Sequence, residues 1–309
     1  MVYSESIEPF LKLKNPEMKN SFLKAAAVFA FSVMMIGCKK KDDNSPSYNK
    51  GDLTILTDGS FQSVTEALAD GYMISYPETH IKVETKKEDL GFLDLLNDKA
   101  KIIVMSRNLN AEEIKSYEER TQLKFLPAKF AADAVVFVVP KDSPKESITM
   151  DEIADGMLSE KKDFIFDGTN SSNLNFVAEK LKKQPKDLKF SIIPGNQKVI
   201  EELGKYPDKI GVIGLNTFSR PYDKTSEKLR EMVKVLPVVD NGKSYNADSE
   251  GLRTMKYPFT RVLYFLNNES GFNIANGFIR FSCTHLGQKI VQKEGLQPYN
   301  LYKREVQMR

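Results

Sequence analysis

The sequence predicts an α/β protein built as two lobes joined by two crossings of the chain. Three observations predict it. Strand-like and helix-like segments alternate from Asp52 onward. A polar stretch, Lys141-Asp142-Ser143-Pro144-Lys145, follows an apolar run that ends at Pro140, and the alternation then restarts. The run Val233-Lys234-Val235-Leu236-Pro237-Val238 reads as the return of the chain to the first lobe. Alternation of this kind argues for a largely parallel sheet with helices on its faces.

Taken in order, Leu53-Thr54-Ile55-Leu56 reads as a buried strand, and Asp58-Gly59-Ser60 as a turn and helix cap. A helix follows from Phe61 to about Ser75, with Val64, Leu68 and Tyr72 spaced by four. His80 to Glu84 alternates like a strand, Leu90 to Asn97 reads as a short helix, and Lys101 to Met105 as a strand. Asn110-Ala111-Glu112-Glu113 opens a helix. Leu123 to Phe130 and Ala134 to Val139 are expected to be two strands. In the second lobe, Thr149 caps a helix, Phe164-Ile165-Phe166 is a strand and Ser172 to Lys183 a helix. Short strands at Ile192-Ile193 and 210–214 flank a helix over 196–204. Residues 260–266 form a strand, and one long terminal helix is expected from Ile274 to about Glu294. The expected division is a leader over 1–37, a tether over 38–50, one lobe from 51–140 with 239–309, and a second lobe over 141–238.

Composition closes several routes. The whole chain carries +3 and residues 1–37 a net of +1, which leaves +2 for the remainder. So even a balance gives no electrostatic footprint for nucleic acid. After Cys38 the next cysteine is Cys283, so the folded part has no pair for an internal disulfide. His80 and His285 stand far apart with no zinc spacing. No Gly-x-Ser-x-Gly, Walker or dinucleotide fingerprint is present, and no metal or cofactor is expected. An enzyme is therefore the least supported class.

The N-terminal region is read separately. Phe22 to Gly37 is apolar and ends in Met35-Ile36-Gly37-Cys38. A basic start, an apolar core of about a dozen residues and a small residue before the cut mark an export signal. Met18-Lys19-Asn20 offers a second, more natural start. The cysteine resembles the lipobox of bacterial lipoproteins. That resemblance implies acylation of Cys38 and an extracytoplasmic protein tethered to a bacterial membrane by lipid, on the periplasmic face or the cell surface.

Three loops carry the chemistry, each after a strand. The first is Thr57-Asp58-Gly59-Ser60-Phe61, where a glycine admits close backbone approach and Ser60 adds a hydroxyl. The second is Ser106-Arg107-Asn108, where Arg107 offers a planar fork for a tetrahedral oxyanion. The third, Asp167-Gly168-Thr169-Asn170-Ser171-Ser172-Asn173, presents small polar groups before a helix. Ligands of open α/β sheets bind beyond the carboxyl ends of strands, and helix N-termini bind anions. As a calcium loop the third segment fails, because Ala178 stands where the bidentate Glu belongs.

Together the loops resemble the PstS-like phosphate-binding family of ABC-transporter solute receptors, over roughly Gly51 to Tyr299. The matching motifs are Asp58-Gly59-Ser60-Phe61, the run Ser106-Arg107-Asn108-Leu109-Asn110-Ala111-Glu112-Glu113, and Asn170-Ser171-Ser172-Asn173. The segment Tyr257-Pro258-Phe259-Thr260-Arg261-Val262-Leu263-Tyr264 also resembles the family's late Tyr-Pro-x-x-Arg-x-Leu-Tyr element, read as structural. The resemblance implies a two-lobed periplasmic-binding-protein fold of type 2. It implies phosphate or a similar oxyanion held by Ser60, Phe61, Glu88, Ser106, Arg107, Ser171, Ser172 and Asn173. It also implies an ABC permease as partner, a monomer, and no catalysis.

Departures are visible as well. Asp167 stands where well-studied members carry an arginine, and Lys86-Lys87-Glu88-Asp89 where they carry Gly-Ser-Ser-Gly. The second loop lacks their aspartate that accepts the phosphate proton, leaving Glu88 or Asp58 for that role. The alternative expectation is a surface or scaffold lipoprotein that keeps the fold without phosphate transport.

Overall fold

The computed structural model describes residues 47–300. Cys38, the apolar run before it and the tether up to residue 46 lie outside the described residues.

The first half of the fold is laid down by β1 (Lys50–Thr57), α1 (Gln62–Ser75), β2 (Glu78–Thr85), α2 (Glu88–Leu96), β3 (Ile102–Met105) and α3 (Ala111–Thr121). β4 (Ala128–Pro140) follows. The second half contains β5 (Ile148–Thr149), α4 (Met150–Gly156), β6 (Phe164–Phe166), α5 (Ser172–Lys180), β7 (Ser191–Ile192), α6 (Asn196–Leu203) and β8 (Ile210–Gly214). It continues with α7 (Lys224–Met232), β9 (Val233–Val235), β10 (Val238–Asp240), β11 (Lys243–Tyr245) and α8 (Ser249–Arg253). The chain ends with β12 (Thr260–Asn267), α9 (Ile274–Cys283), α10 (His285–Lys293) and β13 (Gln297–Pro298).

One sheet runs β2-β1-β3-β12-β4-β8-β6-β7. It is mixed rather than largely parallel. The triplets β2-β1-β3 and β8-β6-β7 are each parallel, but β12 and β4 between them pair antiparallel to each other and to their neighbours. These are the strands that carry the chain from one half to the other. A strand returning directly beside its neighbour runs the opposite way.

Strand periodicity sorts the core. Ile55, Ile102, Val104 and Phe265 face one side with Phe61 and Phe278, while Leu56, Ile103, Met105, Tyr264 and Leu266 face the other with Phe92. A third cluster, including Val136, Phe137, Phe166, Val212 and Phe259, fills the second half. Each such buried side chain stabilises by roughly 1.5–3 kcal/mol.

Three local expectations change. Leu123 to Val139 does not form two strands: β4 alone spans Ala128–Pro140, because nothing in Phe130–Ala134 breaks the backbone and the polar Asp133 is ion-paired inside. The terminal helix is two helices, broken at Thr284, whose extended backbone and hydroxyl cap the second at Gly287 N. α7 has no counterpart in the sequence reading. Its Lys224–Met232 run shows mostly charged residues, and it is seated by Asp223 capping Ser226 N at 2.7 Å.

Candidate functional site

β1 ends on Thr57 and delivers Asp58 into the interior, where it is 1% exposed. Its Oδ1 accepts the Ser60 N–H at 3.0 Å, an ordinary N-cap of the Gly59–Phe61 turn. Its Oδ2 reaches much further. It accepts the N–H of Glu88 and the N–H of Ser172, each at 3.2 Å. These are the first residues of α2 and α5. A single carboxylate therefore sits where two helix N-termini and a turn converge, the position that physical chemistry reserves for an anion.

Glu88 lies beside it, also buried. Its Oε1 accepts from Ser106 N at 2.6 Å and Ser106 Oγ at 2.9 Å. Its Oε2 accepts no hydrogen bond and faces Arg107 Nε at 4.0 Å. Burial, with Asp58 adding to it, pushes the Glu88 carboxyl up to about 7 against the opposing pull of Arg107 and Ser106.

Arg107 is held as a fork. Nε and Nη2 donate to Asp89 Oδ1 at 3.1 and 2.9 Å, and Nη1 and Nη2 to the two oxygens of Glu113 at 2.9 and 2.7 Å. Nη1 also donates to the Asn108 carbonyl at 3.2 Å. The full donor capacity of a guanidinium is thus engaged. Glu113 serves twice, because it closes the capping box of α3 with Asn110.

From the other half, Ser171 caps α5, its Oγ accepting from Leu174 N and donating to the Gly168 carbonyl. Ser172 Oγ and Asn173 Oδ1 are buried without a hydrogen-bond partner. Asn173 Nδ2 donates to Asp167 Oδ1 at 3.2 Å and to Asn196 Oδ1 at 2.8 Å. Asn196 Nδ2 in turn donates to Ser60 Oγ at 3.1 Å. Asp167 is buried and ion-paired with Lys87, whose Nζ also donates to the Asp167 carbonyl. Burial foremost, then Asp58, raises the Asp167 carboxyl above its usual range despite Lys87. Gly214 closes the floor. A Cβ there would lie 2.8 Å from Ser60 Cβ and 2.9 Å from Arg261 Nη2, so only glycine admits this approach.

All eight residues expected at the site fall in this one cluster. Ser60, Glu88 and Ser172 give amides to Asp58. The Phe61 amide is used by the Asp58 carbonyl at 2.9 Å, within the turn. Ser106 and Arg107 surround Glu88, and Asn173 joins Ser60 through Asn196. Sequence reasoning missed Asn196, Lys87 as the partner of Asp167, and Asp89 and Glu113 as holders of Arg107. No spacing signal marks Asn196. Asp89 and Glu113, by contrast, stood at helix starts next to residues already singled out. Two clefts flank the cluster. One of about 760 Å³ is lined by Asp89, Arg107, Asn175 and Glu179, the other of about 440 Å³ by Gly59, Lys87, Asp167 and Asn196.

A family model described as a PBP superfamily domain matches residues 44–284. The chain belongs to the PBP superfamily. Over most of its length it is also a distant relative of phosphate-binding proteins PstS. The PstS of Borreliella burgdorferi is 24% identical over 294 residues, covering 87% of this chain and 95% of its own. Among solved structures, a substrate-binding protein of Clostridium perfringens with bound phosphate superposes with a TM-score of 0.65 at 20% identity, over 80% of this chain and 99% of its own. An ABC-type phosphate transport receptor from Vibrio cholerae gives 0.59 at 16% identity, over 79% and 99%. This member of the superfamily thus has the fold of those receptors. Among its described residues no helix is long and apolar enough to cross a membrane, and no group of three or more His, Cys, Asp or Glu could hold a metal ion.

Proposed function

We propose that this protein is an extracytoplasmic binding lipoprotein that takes up phosphate, or a similar tetrahedral oxyanion, between two lobes and presents it to an ABC permease. The observation that carries the reading is the convergence of the Ser60, Glu88 and Ser172 amides on one buried anionic group. Donors that hold a carboxylate oxygen at a helix N-terminus suit an oxyanion oxygen equally. The names of the relatives point the same way.

In this reading Ser60, Phe61, Glu88, Ser106 and Arg107 contribute from residues 51–140, which with 239–309 form one lobe. Ser171, Ser172 and Asn173 contribute from the lobe of 141–238. The two clefts are entry routes, and binding draws the lobes together about the strands that cross between them. Cys38 carries the lipid. The protein acts by binding and closing, with no bond made or broken.

A second reading has a specific observation in its favour. Asp58 already sits on the three amides, and Arg107 is fully engaged by protein acceptors. A scaffold that keeps the fold without a ligand would look the same. Equilibrium dialysis of the ligand-stripped mature chain against radiolabelled phosphate separates the two. Saturable retention at one phosphate per chain, displaced by arsenate, supports the receptor. No retention of any oxyanion by folded protein supports the scaffold.

A further inference from the structure

We propose that the Asp58 side chain is a built-in stand-in for the ligand: it occupies the oxyanion cradle, ties the two halves together in the unliganded protein, and sets the affinity by having to be displaced. This rests on the receptor reading and adds to it the residue that determines how tightly the site binds.

Capping alone does not explain the geometry. An N-cap needs only the Ser60 amide, which Oδ1 already accepts. Oδ2 instead joins amides 30 and 114 residues away in sequence, one in each half of the fold. Both belong to the first residue of a nine-residue helix, so both carry the positive end of a helix dipole.

The fit is also incomplete, which marks the carboxylate as a substitute. Ser172 donates its amide to Asp58, yet its Oγ is buried and unpartnered, as are Glu88 Oε2 and Asn173 Oδ1. Buried polar atoms are ordinarily satisfied. A planar group with two oxygens cannot reach every polar atom around it, whereas a tetrahedral group has four oxygens and, when protonated, a donor. The surrounding charge fits as well. Asp58, Glu88, Asp89, Glu113 and Asp167 face only Arg107 and Lys87 as cations, and both cations are already ion-paired. Two anions cannot share the three amides, so an incoming oxyanion must turn Asp58 out. A ligand that binds only the minor, vacated form has its apparent affinity reduced by the population of that form.

The test compares the mature chain with Asp58→Ala and Asp58→Asn, each stripped of ligand. Calorimetric titration with phosphate is combined with small-angle scattering of the unliganded proteins. Asp58→Ala is expected to bind phosphate about tenfold more tightly or better, because the penalty for vacating the cradle is gone. Its unliganded form is expected to be more open, and to close when phosphate is added. Asp58→Asn, which keeps a cap on Ser60 but loses the charge, is expected to show the same changes in weaker form, and it decides the matter if the alanine variant does not fold. Binding no tighter than wild type, or weaker, overturns the proposal and makes Asp58 a partner of the ligand or a cap. If no variant binds any oxyanion, scattering still decides. An unchanged shape overturns the proposal. A more open Asp58→Ala leaves Asp58 as a permanent occupant, and only the receptor reading falls.

Discussion

Arg261 and Arg107 both meet carboxylates, in very different settings. Arg261 lies fully buried between β12 and β4, with Nε and Nη2 both on Asp133 Oδ2 at 3.0 and 2.8 Å. Its guanidinium packs over the Phe61 ring at 4.7 Å, and Asp133 also accepts the Asn216 amide at 3.1 Å. Asn216 in turn accepts from Val64 N at 3.0 Å. One ion pair thus fastens the crossing strands, the first loop and the end of β8. Arg107 sits in a loop at the mouth of a cleft, with its side chain 13% exposed and two carboxylates sharing its fork. The difference teaches what each is for. A dry pair with one acceptor and long-range neighbours is a brace, while a wetter cluster with surplus carboxylates is a charge balance that a ligand can tip.

Removing one partner of the dry pair should do most damage. Asp133→Ala leaves Arg261 buried and uncompensated, and is expected to cost about 3–5 kcal/mol in denaturant unfolding. A loss below about 1 kcal/mol would mean that water reaches the pair and that it is no brace.

Next comes Glu88, which belongs to the wetter cluster but is itself dry. Its carboxyl rises from 4.5 in the unfolded chain to about 7 in the folded protein, with burial the main cause. Between those values the folded state holds the extra proton. The stability that this supplies is complete below the unfolded value and is lost as pH rises through the folded one, about 3 kcal/mol in all. Glu88→Gln should therefore flatten the stability profile between about pH 4.5 and pH 7. A profile as steep as that of wild type would assign the dependence to another group.

Arg107→Ala is expected to lower stability by only about 1 kcal/mol, because Asp89 and Glu113 are left facing solvent, while abolishing measurable phosphate binding. That separation of effects is the sharpest contrast with Asp133. If Arg107→Ala is as destabilising as Asp133→Ala, the two arginines are both braces and the comparison fails. The smallest effect belongs to Asn110→Ala. It breaks the α3 capping box and should cost about 1 kcal/mol or less by thermal melting. Phosphate affinity should fall slightly with it, because Glu113 holds Arg107 from the same turn.

The comparison also shows how far the sequence could be read. The runs Lys101-Ile102-Ile103-Val104-Met105 and Ala134 to Val139 declare themselves as strands because their side chains are apolar on both faces. The caps at Asn110 and Thr149 are equally legible, since both lie within one turn of their partners. The unity of β4 was hidden because Asp133 looked like an interruption, and its partner Arg261 lies 128 residues away. Asp58 tells the same story at one residue. Its bond to Ser60, two residues on, was readable as a cap, but its bonds to Glu88 and Ser172 depend on how the halves close. The site residues were gathered by motif resemblance. What each one touches was fixed by tertiary placement, above all the capture of Arg107 by Asp89 and the Lys87–Asp167 pair across 80 residues.

The central claim is that the amides of Ser60, Glu88 and Ser172 form a cradle for an oxyanion. Backbone amide resonances of the isotope-labelled mature protein, followed while phosphate is added, test it most directly. The account predicts that these three resonances shift together and saturate at one phosphate per chain, with sulfate far less effective. Phosphate that leaves all three unmoved, or that shifts only exposed lysine-rich segments, would contradict it.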